Sequence, residues 1–255
     1  MITSSSNAQL KQIIQYNKKA KARRQDGVFV AEGIKMFEEA PADQIRRIFV
    51  SQSFEEKHGD MLGGRDYEVV EDRLFCSISD TQTPQGVLCI LEQRQADIQK
   101  ILGQEKPFLV LLEDLQDPGN VGTILRTAEG AGVDGVILSA NCVDMYNPKT
   151  IRSTMGSIYR VPFCYVEDMT DFAGELRGAG IHTYAAHLAG EHTYDQEDYR
   201  QGTALMIGNE GNGLSDALTG QAQHLIRIPM RGKVESLNAA MAAGILMYEV
   251  ARQRR

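Results

Sequence analysis

The hydrophobic pattern of the chain changes character near residue 106. Before that point, short apolar runs separated by polar stretches predict strands at 28–31, 45–50, 67–70 and 86–91, with a helix at 34–40. A polar, basic stretch up to about residue 25 precedes them and is predicted to be helical. These elements are typical of a small α/β domain.

From Pro107 onward the apolar runs no longer alternate with polar residues. Unbroken apolar runs are typical of strands covered on both faces, which belong to mostly parallel sheets with crossover helices. The sequence therefore predicts an α/β fold whose ligands bind beyond the carboxyl ends of the strands. The predicted strands are 108–112, 135–138, 159–163, 181–185, 204–207 and 225–228.

The change of pattern also sets the predicted domain boundaries. Residues 92–106 are rich in Gln, Lys, Asp and Glu and show no sustained apolar periodicity, so they are interpreted as a linker with some helix. We expect a first domain at 1–95, a linker at 96–106 and a second domain at 107–255.

Three segments that contain glycine or proline carry the candidate chemistry, and each follows a predicted strand and precedes a helix. Asn120 is predicted to cap a helix that runs to about Ala131, and Ser236 to start a helix that runs to about Arg252. Three loops that present polar side chains at strand ends indicate one composite site. Their sequences are DPGNVGTILR at 117–126, GNEGNGLS at 208–215 and IPMRGKVESLN at 228–238.

Glycine order in the second loop argues against a nucleotide-dependent enzyme. Gly208, Gly211 and Gly213 give G-x-x-G-x-G, which reverses the dinucleotide fingerprint, and no suitable acidic residue follows. The chain also lacks a G-x-x-x-x-G-K-[ST] phosphate loop. Glu210, a carboxylate among glycines at a strand end, is interpreted as facing a ligand.

Charge and composition narrow the class of partner. The 255 residues carry a net charge of -7, which argues against an indiscriminate nucleic-acid binder. Six basic residues nevertheless occur without an acidic one between Lys11 and Arg24. Two readings stay open for this cluster: a solvated helix face, or a patch that tracks a phosphate backbone.

Other sequence features predict little chemistry. The four cysteines are expected to be buried, reduced thiols. No apolar run approaches the roughly 20 residues of a membrane span, so a cytoplasmic protein is expected. His182, His187 and His192 are not expected to bind a metal, because strand alternation separates them. Met241, Met247 and Tyr248, at helical spacing, are predicted to be core residues.

Taken together, the three loops resemble the SpoU (also called TrmH) family of RNA ribose 2′-O-methyltransferases in the SPOUT superfamily. The resemblance covers about residues 107–252, and the first half looks like the small L30e-like substrate-binding domain of ribosomal-RNA members through Phe29-Val30-Ala31-Glu32-Gly33. The matching motifs are N-x-G-x-x-x-R at Asn120, Gly122 and Arg126, G-N-E-G-x-G at 208–213, and I-P-M-x-G-x-x-x-S-L-N-A-A at 228–240.

This resemblance implies S-adenosylmethionine as methyl donor, a homodimer and a carboxyl-terminal trefoil knot. Donor-binding positions carried over from the family are the backbone groups of Gly208, Ile228 and Leu237, with Leu188, Asn209, Met230 and Asn238 nearby. The family's catalytic-site positions correspond to Asn120, Arg126, Glu210, Ser236 and Asn238.

The expected function is 2′-O-methylation of RNA, with 23S ribosomal RNA preferred because of the added first domain. Two alternatives stay open: methylation of transfer RNA, and a non-catalytic RNA-binding or ribosome-assembly factor on the same fold. A nicotinamide-dependent oxidoreductase is disfavoured by the reversed glycine order.

Overall fold

The computed structural model describes all residues from 1 to 255. Contacts divide them into two compact units: Met1–Arg94 with Asp144–Tyr159, and Gln95–Val143 with Arg160–Arg255. The strands are β1 Val28–Glu32, β2 Ile45–Ser51, β3 Glu68–Val70, β4 Val87–Glu92, β5 Phe108–Leu112, β6 Gly135–Ser139, β7 Phe163–Val166, β8 His182–Ala186, β9 His192–Thr193, β10 Thr203–Ile207 and β11 His224–Arg227. The helices are α1 Ala8–Lys18, α2 Ala20–Asp26, α3 Ile34–Glu38, α4 Gln52–His58, α5 Asp72–Ile78, α6 Ile98–Leu102, α7 Pro118–Ala131, α8 Pro148–Thr154, α9 Met169–Gly178, α10 Asp216–Thr219 and α11 Ala239–Gln253.

A four-stranded mixed sheet organises the first unit. Its order is β1-β4-β2-β3, with β4 antiparallel to both neighbours and β3 parallel to β2. Helix α1 packs its apolar stripe against this sheet, because Leu10, Ile13 and Tyr16 recur at three-residue spacing and are buried with Val30 and Phe49. The Asn7 side chain caps α1 by accepting from the N–H groups of Gln9 and Leu10.

One member of the basic cluster lies in this core rather than on the surface. Arg23 is 3% exposed, forms an ion pair with Asp144 at 2.5 Å, and donates to the carbonyl oxygen of Tyr16. The six cations therefore do not form a single surface patch, because Arg23 is buried inside the unit and paired with Asp144. The members that remain exposed are Lys11, Lys18, Lys19, Lys21 and Arg24.

Burial of all four cysteines is a second expectation that is wrong. Cys89 and Cys142 are buried, whereas Cys164 is half-buried and Cys76 is exposed.

A seven-stranded, entirely parallel sheet forms the second unit. Its order is β7-β6-β5-β10-β8-β11-β9, and the predicted α/β fold with a mostly parallel sheet is confirmed. Ile207 of β10 pairs with Leu112 of β5, and Ile226 of β11 pairs with Ala186 of β8. The carboxyl ends of these four strands consequently lie along one edge of the sheet. No helix in the chain combines the length and apolar character needed to cross a bilayer.

Two expectations about this unit are wrong. The strand expected at 159–163 is displaced: Ser157–Tyr159 forms a 3-10 turn and β7 starts at Phe163, since Pro162 has no N–H to donate to a ladder. Of the three α11 residues expected in the core, only Met247 is buried, whereas Met241 is 61% exposed and Tyr248 48% exposed. That helix therefore presents an apolar face to its surroundings.

Candidate active site

The first loop leads directly into α7. The side chain of Asp117 caps this helix by accepting from the backbone N–H of Asn120 at 2.8 Å, and Pro118 occupies its first turn. The expectation that Asn120 itself caps α7 is wrong, because the helix begins at Pro118 and Asp117 occupies the capping position, which leaves Asn120 inside the first turn. The Asn120 amide is consequently available for contacts outside its own helix.

The second loop forms a tight hairpin at the end of β10. Asn209 and Gly213 exchange two backbone hydrogen bonds, and the Asn209 Oδ1 accepts from the N–H groups of Gly211 and Asn212. A Cβ on Gly208 would lie 2.1 Å from the carbonyl carbon of Gly213. Position 208 must therefore be glycine for the hairpin to fold back this closely. This geometry presents Glu210 at the hairpin's outer turn.

The third loop ends where Asn238 caps α11. The Asn238 Oδ1 accepts from the backbone N–H groups of Ala240 and Met241, and α11 begins at Ala239. The predicted start at Ser236 is therefore wrong by three residues. Ser236 lies in the exposed segment before the cap, where its hydroxyl makes no hydrogen bond within the chain.

Three side chains, one from each loop, join in a continuous hydrogen-bonded chain. Asn238 donates from Nδ2 to Oδ1 of Asn120 at 2.9 Å, and Asn120 donates from Nδ2 to Oε1 of Glu210 at 3.0 Å. The Glu210 carboxylate also accepts from the backbone N–H groups of Gln116 at 3.3 Å and Asp117 at 3.2 Å. These contacts fix the three motif segments relative to one another.

The environment of Glu210 favours its ionised form. Burial opposes ionisation, but the hydrogen bonds from Asn120, Gln116 and Asp117 outweigh it and hold the pKa of the Glu210 carboxyl below its ordinary value. A carboxylate with a lowered pKa is a poor proton acceptor at neutral pH. Glu210 is therefore suited to holding the loops in place rather than to acting as a general base.

Arg126 lies outside this hydrogen-bonded chain. Its side chain is exposed and forms no hydrogen bond or ion pair within the chain. Six residues separate it from Asn120 on α7, which places the two about 9 Å apart along the axis and about 120° apart around it. The structure thus brings together Asn120, Glu210 and Asn238, and leaves the guanidinium of Arg126 open to an external partner.

The predicted donor-binding positions share one edge of the second sheet. Leu188 comes shortly after β8, Gly208 directly after β10 and Ile228 directly after β11, and these strands are neighbours. Leu188 is 69% exposed, whereas Ile228, Met230 and Leu237 are half-buried. The side chains of Asn209 and Asn238 are already engaged, in the hairpin and in the helix cap.

The third loop fits a ligand that is recognised through backbone groups. Residues 228–237 make no backbone hydrogen bonds outside the ladder and receive none from side chains. Backbone N–H and C=O groups are obligatory hydrogen-bonding groups, so this segment has partners to offer to the heteroaromatic and amino-acid groups of S-adenosylmethionine. The residues present therefore fit that donor.

Sequence reasoning missed the part played by the residues just before α7. Gln116 and Asp117 both donate backbone N–H groups to Glu210, and Asp114 accepts from the Nδ2 of Asn209 through its carbonyl oxygen at 2.7 Å. An Asp-Pro pair followed by Asn was a signal for the cap. Nothing in the local sequence indicated that the adjacent N–H groups would bind a carboxylate 93 residues away.

Comparison with known proteins identifies the family of each half of the chain. Residues 107–248 match the SpoU rRNA methylase family, and residues 7–89 match the MRM3-like substrate binding domain. The 23S rRNA (guanosine(2553)-2′-O)-methyltransferase RlmP of Bacillus subtilis is 32% identical, over 98% of this chain and 98% of its own length.

Two solved structures extend the likeness to the fold. The AdoMet-bound rRNA methyltransferase from Sinorhizobium meliloti matches with a TM-score of 0.85 at 34% identity, covering 98% of this chain and 97% of that one. The SpoU methyltransferase AviRb from Streptomyces viridochromogenes, in complex with AdoMet, matches with a TM-score of 0.86 at 29% identity, covering 97% and 98%.

Proposed function

This chain belongs to the SpoU rRNA methylase family, and on that basis we propose that it transfers a methyl group from S-adenosylmethionine to a ribose 2′-hydroxyl of ribosomal RNA. The observation that carries the proposal is the hydrogen-bonded chain from Asn238 through Asn120 to Glu210. It joins the three family motifs at the sheet edge that carries the proposed donor-binding positions.

A direct test uses the recombinant protein, S-adenosylmethionine with a labelled methyl group, and ribosomal RNA from a strain that lacks the gene. We expect one labelled 2′-O-methyl nucleoside after nuclease digestion and mass spectrometry. Label found only in transfer RNA, or only on a base, would contradict the proposal.

For the substrate, we propose 23S ribosomal RNA in particular. The relative in Bacillus subtilis is named as a 23S rRNA methyltransferase, and residues 7–89 resemble a substrate-binding domain. The first unit keeps five exposed cations near its amino terminus. Folded RNA is recognised through shape and backbone contacts spread over a wide surface, which suits an added unit with a basic amino-terminal segment.

For the methyl donor, we propose contacts to the backbone groups of Gly208, Ile228 and Leu237. The side chains nearby are Leu188, Asn209, Met230 and Asn238. Bound there, S-adenosylmethionine supplies an electrophilic methyl carbon on a sulfonium. Calorimetric titration with it separates this proposal from a non-catalytic RNA-binding factor, which would show no affinity for the donor.

For the chemical step, we propose that the protein aligns the ribose hydroxyl with the methyl carbon and assists loss of its proton. A guanidinium stays protonated in proteins, so Arg126 does not accept that proton. Arg126 instead binds an RNA phosphate and stabilises the developing alkoxide, while a phosphate oxygen or another acceptor takes the proton. Asn120, Glu210 and Asn238 hold the loops, and Ser236 lies at the rim of the same site.

For the assembly, we propose a homodimer formed through the exposed apolar face of α11. Met241, Ile245 and Tyr248 recur at helical spacing on that face, and contiguous exposed apolar surface marks interaction sites. A carboxyl-terminal trefoil knot and a cytoplasmic location are part of the same proposal, on the strength of the family resemblance.

A further inference from the structure

A cavity of about 340 Å³ lies between the loop after β5 and the hairpin after β10. It is a separate feature from the exposed third loop, which contributes none of its lining. The polar side chains that line it are Glu113, Asp114, Gln116, Asn209, Asn212 and Ser215.

This cavity shares a wall with the hydrogen-bonded chain of the candidate active site. Gln116 lines it and also donates its backbone N–H to Glu210, and Asn209 lines it and directly precedes Glu210 in the hairpin. A group seated in the cavity is therefore adjacent to the loops that form the proposed active site.

The residues that line the cavity disfavour the binding of an anion. It contains two carboxylates and no lysine or arginine. Glu113 accepts from the N–H of Ser215 at 2.7 Å and from its hydroxyl at 2.6 Å, and Asp114 accepts from the hydroxyl of Ser139 at 2.6 Å. A carboxylate offers about four acceptor sites, so each keeps capacity for a further donor.

Resting on the proposed function, we propose that this cavity holds the base of the methylated nucleotide and selects guanine. A ribose hydroxyl inside folded RNA becomes accessible when its nucleotide is unstacked, and an unstacked base is read through its Watson–Crick edge. Guanine presents two adjacent donors on that edge, N1–H and the 2-amino group, which complement carboxylate acceptors. Uracil presents one donor between two carbonyl oxygens, which the carboxylates repel.

The first experiment uses the wild-type protein and leaves its fold untouched. Ligated RNA substrates carry either guanosine or inosine, which lacks only the 2-amino group, at the mapped target position. We expect kcat/KM for methyl transfer to fall by about tenfold or more with inosine. Equal rates on the two substrates, or a mapped target nucleotide other than guanosine, would overturn the inference while leaving the methyltransferase function intact. Absence of any methylation of ribosomal RNA would instead refute the proposed function.

The second experiment assigns the selection to a residue. We expect Glu113→Gln to lower kcat/KM on the guanosine substrate and to narrow the guanosine-to-inosine ratio, with the Kd for S-adenosylmethionine unchanged. The matched control is Glu175→Gln, at an exposed position on α9, which should alter neither the ratio nor the rate. An increased Kd for the donor with an unchanged ratio would assign the cavity to the donor's ammonium group and overturn the inference.

Discussion

Asn238 donates a hydrogen bond from Nδ2 to Oδ1 of Asn120 at 2.9 Å, across 118 positions of the chain. In both amides the oxygen and the nitrogen each form a hydrogen bond, since Asn238 also caps α11 through Oδ1 and Asn120 also donates from Nδ2 to Glu210. Their orientations are thereby determined by fixed backbone groups at one end and a carboxylate at the other. Removing one link should release all three loops from their mutual positions.

The two roles of Asn238 can be separated by substitution. Asn238→Ala removes the cap and the link to Asn120, and should lower the free energy of unfolding by about 1 kcal/mol. Asn238→Asp retains a capping oxygen but has no donor for Asn120, so its stability should stay near that of the wild type. Both variants should lose about 10²-fold in turnover, because small misplacements of positioning groups have effects of that size. Normal turnover in Asn238→Asp, measured beside thermal unfolding, would contradict a positioning role for the Asn120 contact.

The lowered pKa of Glu210 predicts a pH dependence of stability. A carboxyl whose folded pKa lies below its unfolded value stabilises the fold above the unfolded value, and this contribution is lost as the pH falls through the folded pKa. Wild type should therefore exceed Glu210→Gln in unfolding midpoint near neutral pH, and the two should converge in acid below the ordinary glutamate range.

Denaturant unfolding at a series of pH values measures this difference. Glu105→Gln, at an exposed position in the same unit, provides the control and should follow the wild type throughout. If the difference in unfolding midpoint between wild type and Glu210→Gln persists unchanged in strong acid, lost packing rather than ionisation explains that difference.

Arg126 should matter for turnover and not for folding. Its side chain is exposed and unpaired within the chain, so Arg126→Lys and Arg126→Ala should leave the unfolding midpoint and the Kd for S-adenosylmethionine unchanged. Turnover should fall strongly even with lysine, because an ammonium cannot make the paired contacts of a guanidinium to phosphate. Single-turnover methylation is the measurement, with exposed Arg255→Lys as control. Near-normal methylation by Arg126→Lys would refute the proposed role.

The exposed face of α11 predicts the oligomeric state. The wild type should sediment as a dimer, and Met241→Glu or Tyr248→Glu should sediment as a monomer, since a charge would be buried without a partner in the interface. Tyr67→Glu, at an exposed tyrosine of the first unit, should remain dimeric. A monomeric wild type at micromolar concentration would disprove the assembly.

The ion pair between Arg23 and Asp144 predicts a large effect on stability. Arg23 is nearly fully buried, and Asp144→Ala would leave its charge without a partner, which typically costs about 3–5 kcal/mol. Replacing both residues, as in Arg23→Met with Asp144→Ala, should recover much of the loss. Denaturant unfolding of the single and double variants tests this, and a mild effect of Asp144→Ala alone would show that water reaches the site.

The sequence predicts the strands of the second unit's sheet well. For the site, it predicts which loops come together but not the contacts between their side chains. Residues 108–112 are the predicted and the observed β5, because an unbroken apolar run bounded by polar residues has few alternatives. The start of α7 was misplaced because Asp117 and Asn120 are both good capping residues. Parallel topology predicts that three loops share an edge, but the partner of each amide depends on side-chain distances that no local pattern encodes.

The assignment of Asp144–Tyr159 to the first unit has a consequence for how the protein is made. A ribosome synthesises β5, α7 and β6 of the second unit before it reaches the segment that supplies the counter-ion of Arg23. The first unit therefore cannot complete its fold until part of the second unit has been synthesised. A gene cut near residue 95 would separate Met1–Arg94 from the Asp144–Tyr159 segment of its own unit, whereas the fragment that starts at residue 95 would contain every residue of the second unit.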